Sequence, residues 1–307
     1  MTNALALLAL LAGATAPKAA PLASGSFQAE VGGRTIHYEV HGQGPVLMTL
    51  TNSWGLTLDG LRGLYRPLEE RLTLVYFDPR GMGGSSPARV DTDRGMAAVR
   101  EDFDALRRHL KIEKANVIGW SNGAMNLLLL ASDKPDTLQS AIFLHGVASY
   151  SPEDMQAFAK TYPEMTERFM AFQKEQQDPK LTDAERTARQ KAFWMSEYFP
   201  FLLADPKASK PRLEEAFRGQ PFSTPHTRQT DVESAMFDAR PRLGAITARS
   251  LVLAGEKDAA PPSKVKEIAD GIKGATFKVF AKSGHFAPLE EPEAFRAAVF
   301  EFLGVAK

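Results

Sequence analysis

The 307-residue chain contains no cysteine. Disulfides, thiolate metal sites, a cysteine nucleophile and lipid attachment through cysteine are excluded on that ground. Charge imbalance is missing too, with 37 Lys plus Arg against 37 Asp plus Glu. The chain therefore lacks the basic footprint of a nucleic-acid binder, and no nucleic-acid partner is expected. The Ala/Leu run at residues 4–12 falls short of the roughly 20 residues that span a bilayer, so no stable membrane anchor is expected. His37, His41, His109 and His226 show no metal-ligand spacing. Neither a metal nor a cofactor is predicted. Internal repeats are absent. What remains is an ordinary globular composition, 44% hydrophobic and 24% charged. It fits one large domain, or one domain carrying an insertion. Oligomeric state is not legible in it.

The run at 4–12 leads into Ala12-Gly13-Ala14, a pattern similar to a secretory signal cut before Thr15. The usual Lys or Arg ahead of the run is missing. The expectation is a secreted or periplasmic protein after cleavage; the alternative is a cytoplasmic protein with a peripheral N-terminal segment. Residues 15–25, rich in Ala, Pro and Ser, read as a tether.

From residue 26 the pattern alternates. Strands are predicted at 26–31, 34–40, 46–50, 72–77, 115–118, 141–144, 250–254 and 276–280. Helices are predicted at 59–68, 94–110, 124–131, 263–272 and 293–303. Gly32-Gly33 marks a hairpin between the first two strands. Such alternation predicts a mostly parallel sheet covered on both faces, with ligands beyond the carboxyl ends of the strands. Residues 150–238 break it. They carry no strand signal, and 153–161, 164–176 and 183–198 look helical. They read as a helical insertion placed to roof a site, with a peripheral decoration as the alternative. The core is then 26–149 and 239–307.

Gly119-Trp120-Ser121-Asn122-Gly123 lies between the apolar run 115–118 and a helical stretch. Chance alone gives roughly 0.1 such pentapeptides in a chain of this glycine and serine content, so the context must decide. A serine in a tight strand-to-helix turn presents its hydroxyl, and the new helix points backbone N–H groups beside it. Serine is a weak nucleophile and needs a base, which in turn needs an orienting acid. Asp258 follows the strand 250–254, and His285 follows the strand 276–280. The order Ser121, Asp258, His285 is one known for this type of sheet. Ser121 is the candidate nucleophile, His285 the base and Asp258 its partner. The Asn122 N–H is one candidate oxyanion donor. The second is expected from the loop after 46–50, at Ser53 first and Trp54 next.

With these residues the chain resembles the α/β-hydrolases that bear a lid, over about residues 26–304. The resemblance rests on Gly119-Trp120-Ser121-Asn122-Gly123, Gly255-Glu256-Lys257-Asp258, Gly284-His285 and the block Phe77-Asp78-Pro79-Arg80-Gly81-Met82-Gly83-Gly84-Ser85-Ser86. It implies an α/β-hydrolase fold and a cofactor-independent serine hydrolase acting through an acyl-enzyme. The implied partner is a small ester or amide, or a short peptide. In the last block, Asp78 and Arg80 are expected to pin a glycine-rich turn. One block departs from the family: Thr51-Asn52 stands where His-Gly is common. The stretch 54–86 is modestly similar to proline iminopeptidases, which implies an exopeptidase as the alternative. Glu164, Glu167 or Glu197 would then hold the substrate's ammonium, unless they simply form a solvated face. A noncatalytic binding protein that keeps the fold, and an acyltransferase, are further alternatives.

Trp120, His145 and Trp194 are weaker candidates for the substrate pocket. His145 ends a strand and reads either as a pocket residue or as packing. Phe193, Trp194, Tyr198, Phe199 and Phe201 line an apolar acyl pocket or hold the insertion together.

Overall fold

The computed structural model describes residues 21–235 and 237–305; the signal-like segment lies outside them. Eight strands form one sheet: β1 (Gly25–Val31), β2 (Arg34–Gly42), β3 (Val46–Leu50), β4 (Thr73–Phe77), β5 (Ala115–Trp120), β6 (Leu138–Leu144), β7 (Arg249–Gly255) and β8 (Thr276–Phe280). Their spatial order is β1-β2-β4-β3-β5-β6-β7-β8. β2 runs antiparallel to β1 and β4, and the other neighbours are parallel. Gly32 and Gly33 take φ of 58° and 73°, the left-handed pair that a two-residue hairpin needs. The predicted tether ends early. Leu22 packs against the core, and Gly25 already belongs to β1.

Alternation along the central strands divides the interior. In β5 Val117 joins the core on one face, with helices Met96–His109, Asn122–Asp133 and Pro262–Gly271. Ile118 and Trp120 join the other, with helices Leu58–Tyr65 and Pro292–Leu303. β7 divides likewise, Val252 and Ala254 against Leu251 and Leu253. A period of two along a strand, buried on both faces, produces this split.

The insertion leaves and returns through one neck. Tyr150 N–H donates to Phe237 O at 2.8 Å and Ala239 N–H to Ala148 O at 2.7 Å. Helices Pro152–Thr161, Pro163–Gln176 and Asp183–Phe193 lie where they were predicted. The last runs into a π-helical turn, Trp194–Tyr198, which turns the aromatic side chains out of α register. Helices Pro206–Ala216 and Thr224–Ser234 were not predicted. Their prolines read as breakers. Pro206 opens the first helix, where its missing N–H costs nothing, and Asp205 caps Ala208 N at 3.0 Å. No helix among the described residues is long and apolar enough to cross a membrane.

Candidate active site

β5 ends in a turn that only a strained residue can make. Ser121 has φ 56° and ψ −121°. Its N–H donates to Leu144 O at 2.8 Å, and its carbonyl accepts from Ala124 and Met125, opening the helix Asn122–Asp133. A non-glycine residue held at positive φ costs of order 1 kcal/mol or more, which the surrounding packing must hold in place. The flanking glycines follow from crowding. A Cβ on Gly119 would strike Gly123 O, and one on Gly123 would lie 2.6 Å from Leu50 O.

The two other predicted chemistry-bearing residues meet beyond β7 and β8. His285 Nδ1 lies 2.8 Å from Asp258 Oδ2. Asp258 Oδ1 accepts from Ala260 N–H at 3.2 Å. Burial would raise the Asp258 carboxyl; the adjoining His285 and the hydrogen bonds from two imidazoles outweigh it and hold the group well below the ordinary carboxylate range. Trp120 joins this pair to the elbow. Its ring lies 5.4 Å from that of His285, and its indole N–H donates to His285 O at 2.9 Å. No hydrogen bond links Ser121 Oγ to His285 among the described residues; such contacts are often long without substrate.

His145 is the second imidazole. Its Nδ1 lies 2.9 Å from the same Asp258 Oδ2. The ligand atoms of His145, Asp258 and His285 all fall within 4.8 Å of one another, which makes them the candidate set for a metal. Spacings of 2.8 and 2.9 Å are hydrogen-bond distances. Ligand atoms around a tetrahedral ion with bonds of about 2.1 Å stand roughly 3.4 Å apart.

The loop after β3 reaches the elbow through Asn122. Its side-chain oxygen accepts from both Ser53 N–H and Ser53 Oγ, each at 2.8 Å. The Ser53 N–H, expected first as the second oxyanion donor, is therefore already engaged. The backbone N–H groups of Asn122 and Trp54 have no protein acceptor among the described residues. The insertion clasps the same loop from above: Thr227 donates to Trp54 O at 3.0 Å and Thr230 to Ser53 O at 2.8 Å. It holds the histidine loop as well. His285 N–H donates to Leu202 O at 2.8 Å, while Glu290 accepts from Ala204, Gly284 and Phe286.

Two of the expected pocket residues are buried. Trp120 is 1% exposed and packs beneath His285, Phe286 and Phe217. His145 is 2% exposed and faces Asp258. Trp194 does come to the loop, its ring 5.4 Å from that of Trp54. Of the other aromatics, Phe199 joins Trp194, Phe217, Phe222 and Phe286, whereas Phe193 stacks on Phe172. Glu164 and Glu167 are exposed, and Glu197 pairs with Arg168. Asp231 carries no signal of its own in the local sequence pattern. It lies one helical turn beyond Thr227, on the face that clasps the loop, and its carboxylate has no hydrogen-bond partner among the described residues. Water reaches Asp231, yet the surrounding protein pushes its carboxyl up to about 6. Burial raises the Tyr150 and Tyr198 hydroxyls, and the charges of Asp258 and Asp231 add to that rise. The spacing Thr227, Thr230, Asp231 was the available signal, on a helix the sequence did not reveal.

The turn at Asp78 behaves as expected. Its carboxylate accepts from Leu58 N–H and Gly84 N–H, each at 2.9 Å, and meets His37 Nδ1 at 2.7 Å. Arg80 is locked to Asp102 and Asp93.

Residues 50–292 match the family model described as alpha/beta hydrolase fold. A Caulobacter sp. (strain K31) protein provisionally named carbamate hydrolase RutD is 28% identical over 277 residues, covering 87% of this chain and 95% of that one. A proline iminopeptidase from Lactobacillus helveticus (strain DPC 4571) is 25% identical over 249 residues, covering 75% of this chain and 79% of that one. Among solved structures, an alpha/beta fold family hydrolase from Bacillus anthracis str. Sterne superposes with a TM-score of 0.75 at 21% identity, covering 91% and 99% of the two chains. The chain belongs to the alpha/beta hydrolase fold family and is a hydrolase.

Proposed function

We propose that the protein cleaves a carboxylic ester or amide through an acyl-enzyme on Ser121. His285 takes the Ser121 proton as the hydroxyl attacks the carbonyl carbon. It then returns that proton to the leaving alcohol or amine. Asp258 holds His285 with its proton on Nδ1, leaving Nε2 to act as base, and stabilises the imidazolium that forms. Water attacks the acyl-enzyme by the same route and releases the acid. The developing oxyanion is received by the Asn122 and Trp54 N–H groups, since the Ser53 N–H is spent on Asn122 Oδ1. The observation that carries this reading is the 2.8 Å His285–Asp258 hydrogen bond, joined through Trp120 to a serine held at φ 56°. The insertion serves as a lid that contributes Trp194 to the site.

A fluorophosphonate should label Ser121 and fail to label Ser121→Ala. Equal labelling of both proteins would dismiss Ser121 as nucleophile. The exopeptidase reading finds support in Asp231 rather than in the three glutamates of the lid. It calls for cleavage of alanine or proline arylamides and not of their N-blocked forms.

A further inference from the structure

His145 is an unusual residue to find where it lies. It directly follows β6 at φ 53°, one of three non-glycine residues with positive φ among those described, together with Lys111 and Ser121. Two of the three thus belong to this site. Left-handed backbone disfavours a bulky side chain, while asparagine and glycine adopt it readily. The ring nevertheless has no exposed side-chain surface. Packing alone would be satisfied by an apolar residue. The imidazole is instead wired at both nitrogens. Nδ1 faces Asp258 Oδ2 at 2.9 Å, and Nε2 accepts the Ala287 N–H at 3.4 Å.

The two contacts fix the proton. An acceptor role for Nε2 leaves the hydrogen on Nδ1, so His145 donates to Asp258. Taking up a second proton would set an Nε2–H against the Ala287 N–H, in a place where water does not reach. Burial favours the same neutral form and outweighs the pull of the carboxylate. Asp258 Oδ2 therefore accepts from two imidazoles, one of which can take up a proton and one of which is held neutral.

We infer that His145 is a positioning residue, a fixed neutral donor that orients the Asp258 carboxylate and moderates its pull on His285. This role rests on the proposed use of His285 as base. The Oδ2 lone pairs are shared, so the carboxylate cannot rotate to favour one ring. Its negative charge is also partly met before His285 acquires a proton. The expected consequence is that a variant without the His145 donor leaves the whole pull of the carboxylate on His285. The groups that feel the Asp258 charge besides the two imidazoles are Tyr150, Tyr198 and Glu290.

The test separates the donor from the ring. His145→Asn suits the positive φ and places an amide N–H where Nδ1 stands. His145→Phe fills the space and donates nothing. The readout is the pH dependence of the rate at which a fluorophosphonate labels Ser121, which needs no knowledge of the substrate. In His145→Phe the acid limb should move up by about one pH unit, the size of a lost hydrogen bond to a charged group. In His145→Asn it should stay with the wild type. A filler role gives another pattern: an unmoved limb in His145→Phe, which would overturn the inference. Should His145→Phe not fold, the wild-type protein decides. Imidazole nitrogen NMR should show His145 neutral with its proton on Nδ1 across the acid limb of the labelling rate. A His145 that titrates there, or carries its proton on Nε2, overturns the inference equally. Absence of labelling in the wild type would strike the nucleophile reading itself, whereas labelling with unmoved limbs strikes His145 alone.

Discussion

Asp258→Asn probes the candidate site with little change of shape. The amide has one acceptor where the carboxylate has two. If its oxygen takes the Oδ2 position, both imidazoles keep their protons on Nδ1, but the amide N–H₂ then opposes the Ala260 N–H that Oδ1 now accepts. If it takes the Oδ1 position, the N–H₂ faces both rings. His285 must then shift its proton to Nε2 and can no longer receive one from Ser121. In the first arrangement the loss is electrostatic. With Nδ1 and Oδ2 at 2.8 Å, the centres of charge of imidazolium and carboxylate lie farther apart than the bonded atoms. At roughly 4 Å and an effective dielectric of about 20 their attraction is about 4 kcal/mol. Removing it should lower kcat/KM about a thousandfold. The second arrangement costs at least as much. The assay is hydrolysis of p-nitrophenyl acetate, with circular dichroism to confirm that the variant is folded. A loss smaller than tenfold in a folded variant would refute the assignment of Asp258 and the electrostatic reasoning behind it.

Two further perturbations test the surroundings. Asn122→Ala keeps the backbone N–H at the elbow and removes the oxygen that holds Ser53. It leaves a buried N–H and hydroxyl unpaired, at a cost of about 1–3 kcal/mol in stability. The Trp54 donor loses its support, so kcat should fall about 10- to 100-fold with KM little changed. An unchanged kcat in a less stable variant would make the brace purely structural. Asp231→Asn tests a carboxylate whose folded pKa of about 6 lies above its unfolded value. A raised acid pKa gives the folded state a stability that is present at low pH and lost as pH rises through about 6. The asparagine variant should therefore melt with the wild type below about pH 4 and above it once pH exceeds about 6. A melting difference independent of pH would rule out Asp231 as the group responsible.

The sheet was legible because its strands are continuous apolar runs, each closed by a loop with its own signal. The same pattern places Ser121, Asp258 and His285 at strand ends. Other features were not legible, for specific reasons. Helices Pro206–Ala216 and Thr224–Ser234 contain prolines and little apolar periodicity, because much of their surface faces water or polar neighbours. The engagement of the Ser53 N–H by Asn122 is a contact across 69 residues, which no local pattern encodes. His145 shows only as a histidine before Gly146; its φ and both its hydrogen bonds arise from β7 and the loops around it. Trp120, next to the serine, is a weaker pocket candidate in the sequence. Strand alternation turns it instead into the core beneath His285.

The hydrogen bond from His285 N–H to Leu202 O has a bearing on how this scaffold can be rebuilt. A Cβ on Gly284 would strike the same carbonyl, so the two backbones approach closely at this point. Leu202 belongs to the insertion, and His285 is the proposed base. Exchanging the whole insertion for that of a relative would thus also replace one of the supports of the proposed base. Chimeras cut at the neck near residues 150 and 237 should lose turnover even where the foreign segment folds. Grafts confined to the helices Pro152–Thr161 to Asp183–Phe193, which leave Leu202 and Ala204 in place, would alter what enters the site without disturbing the proposed base.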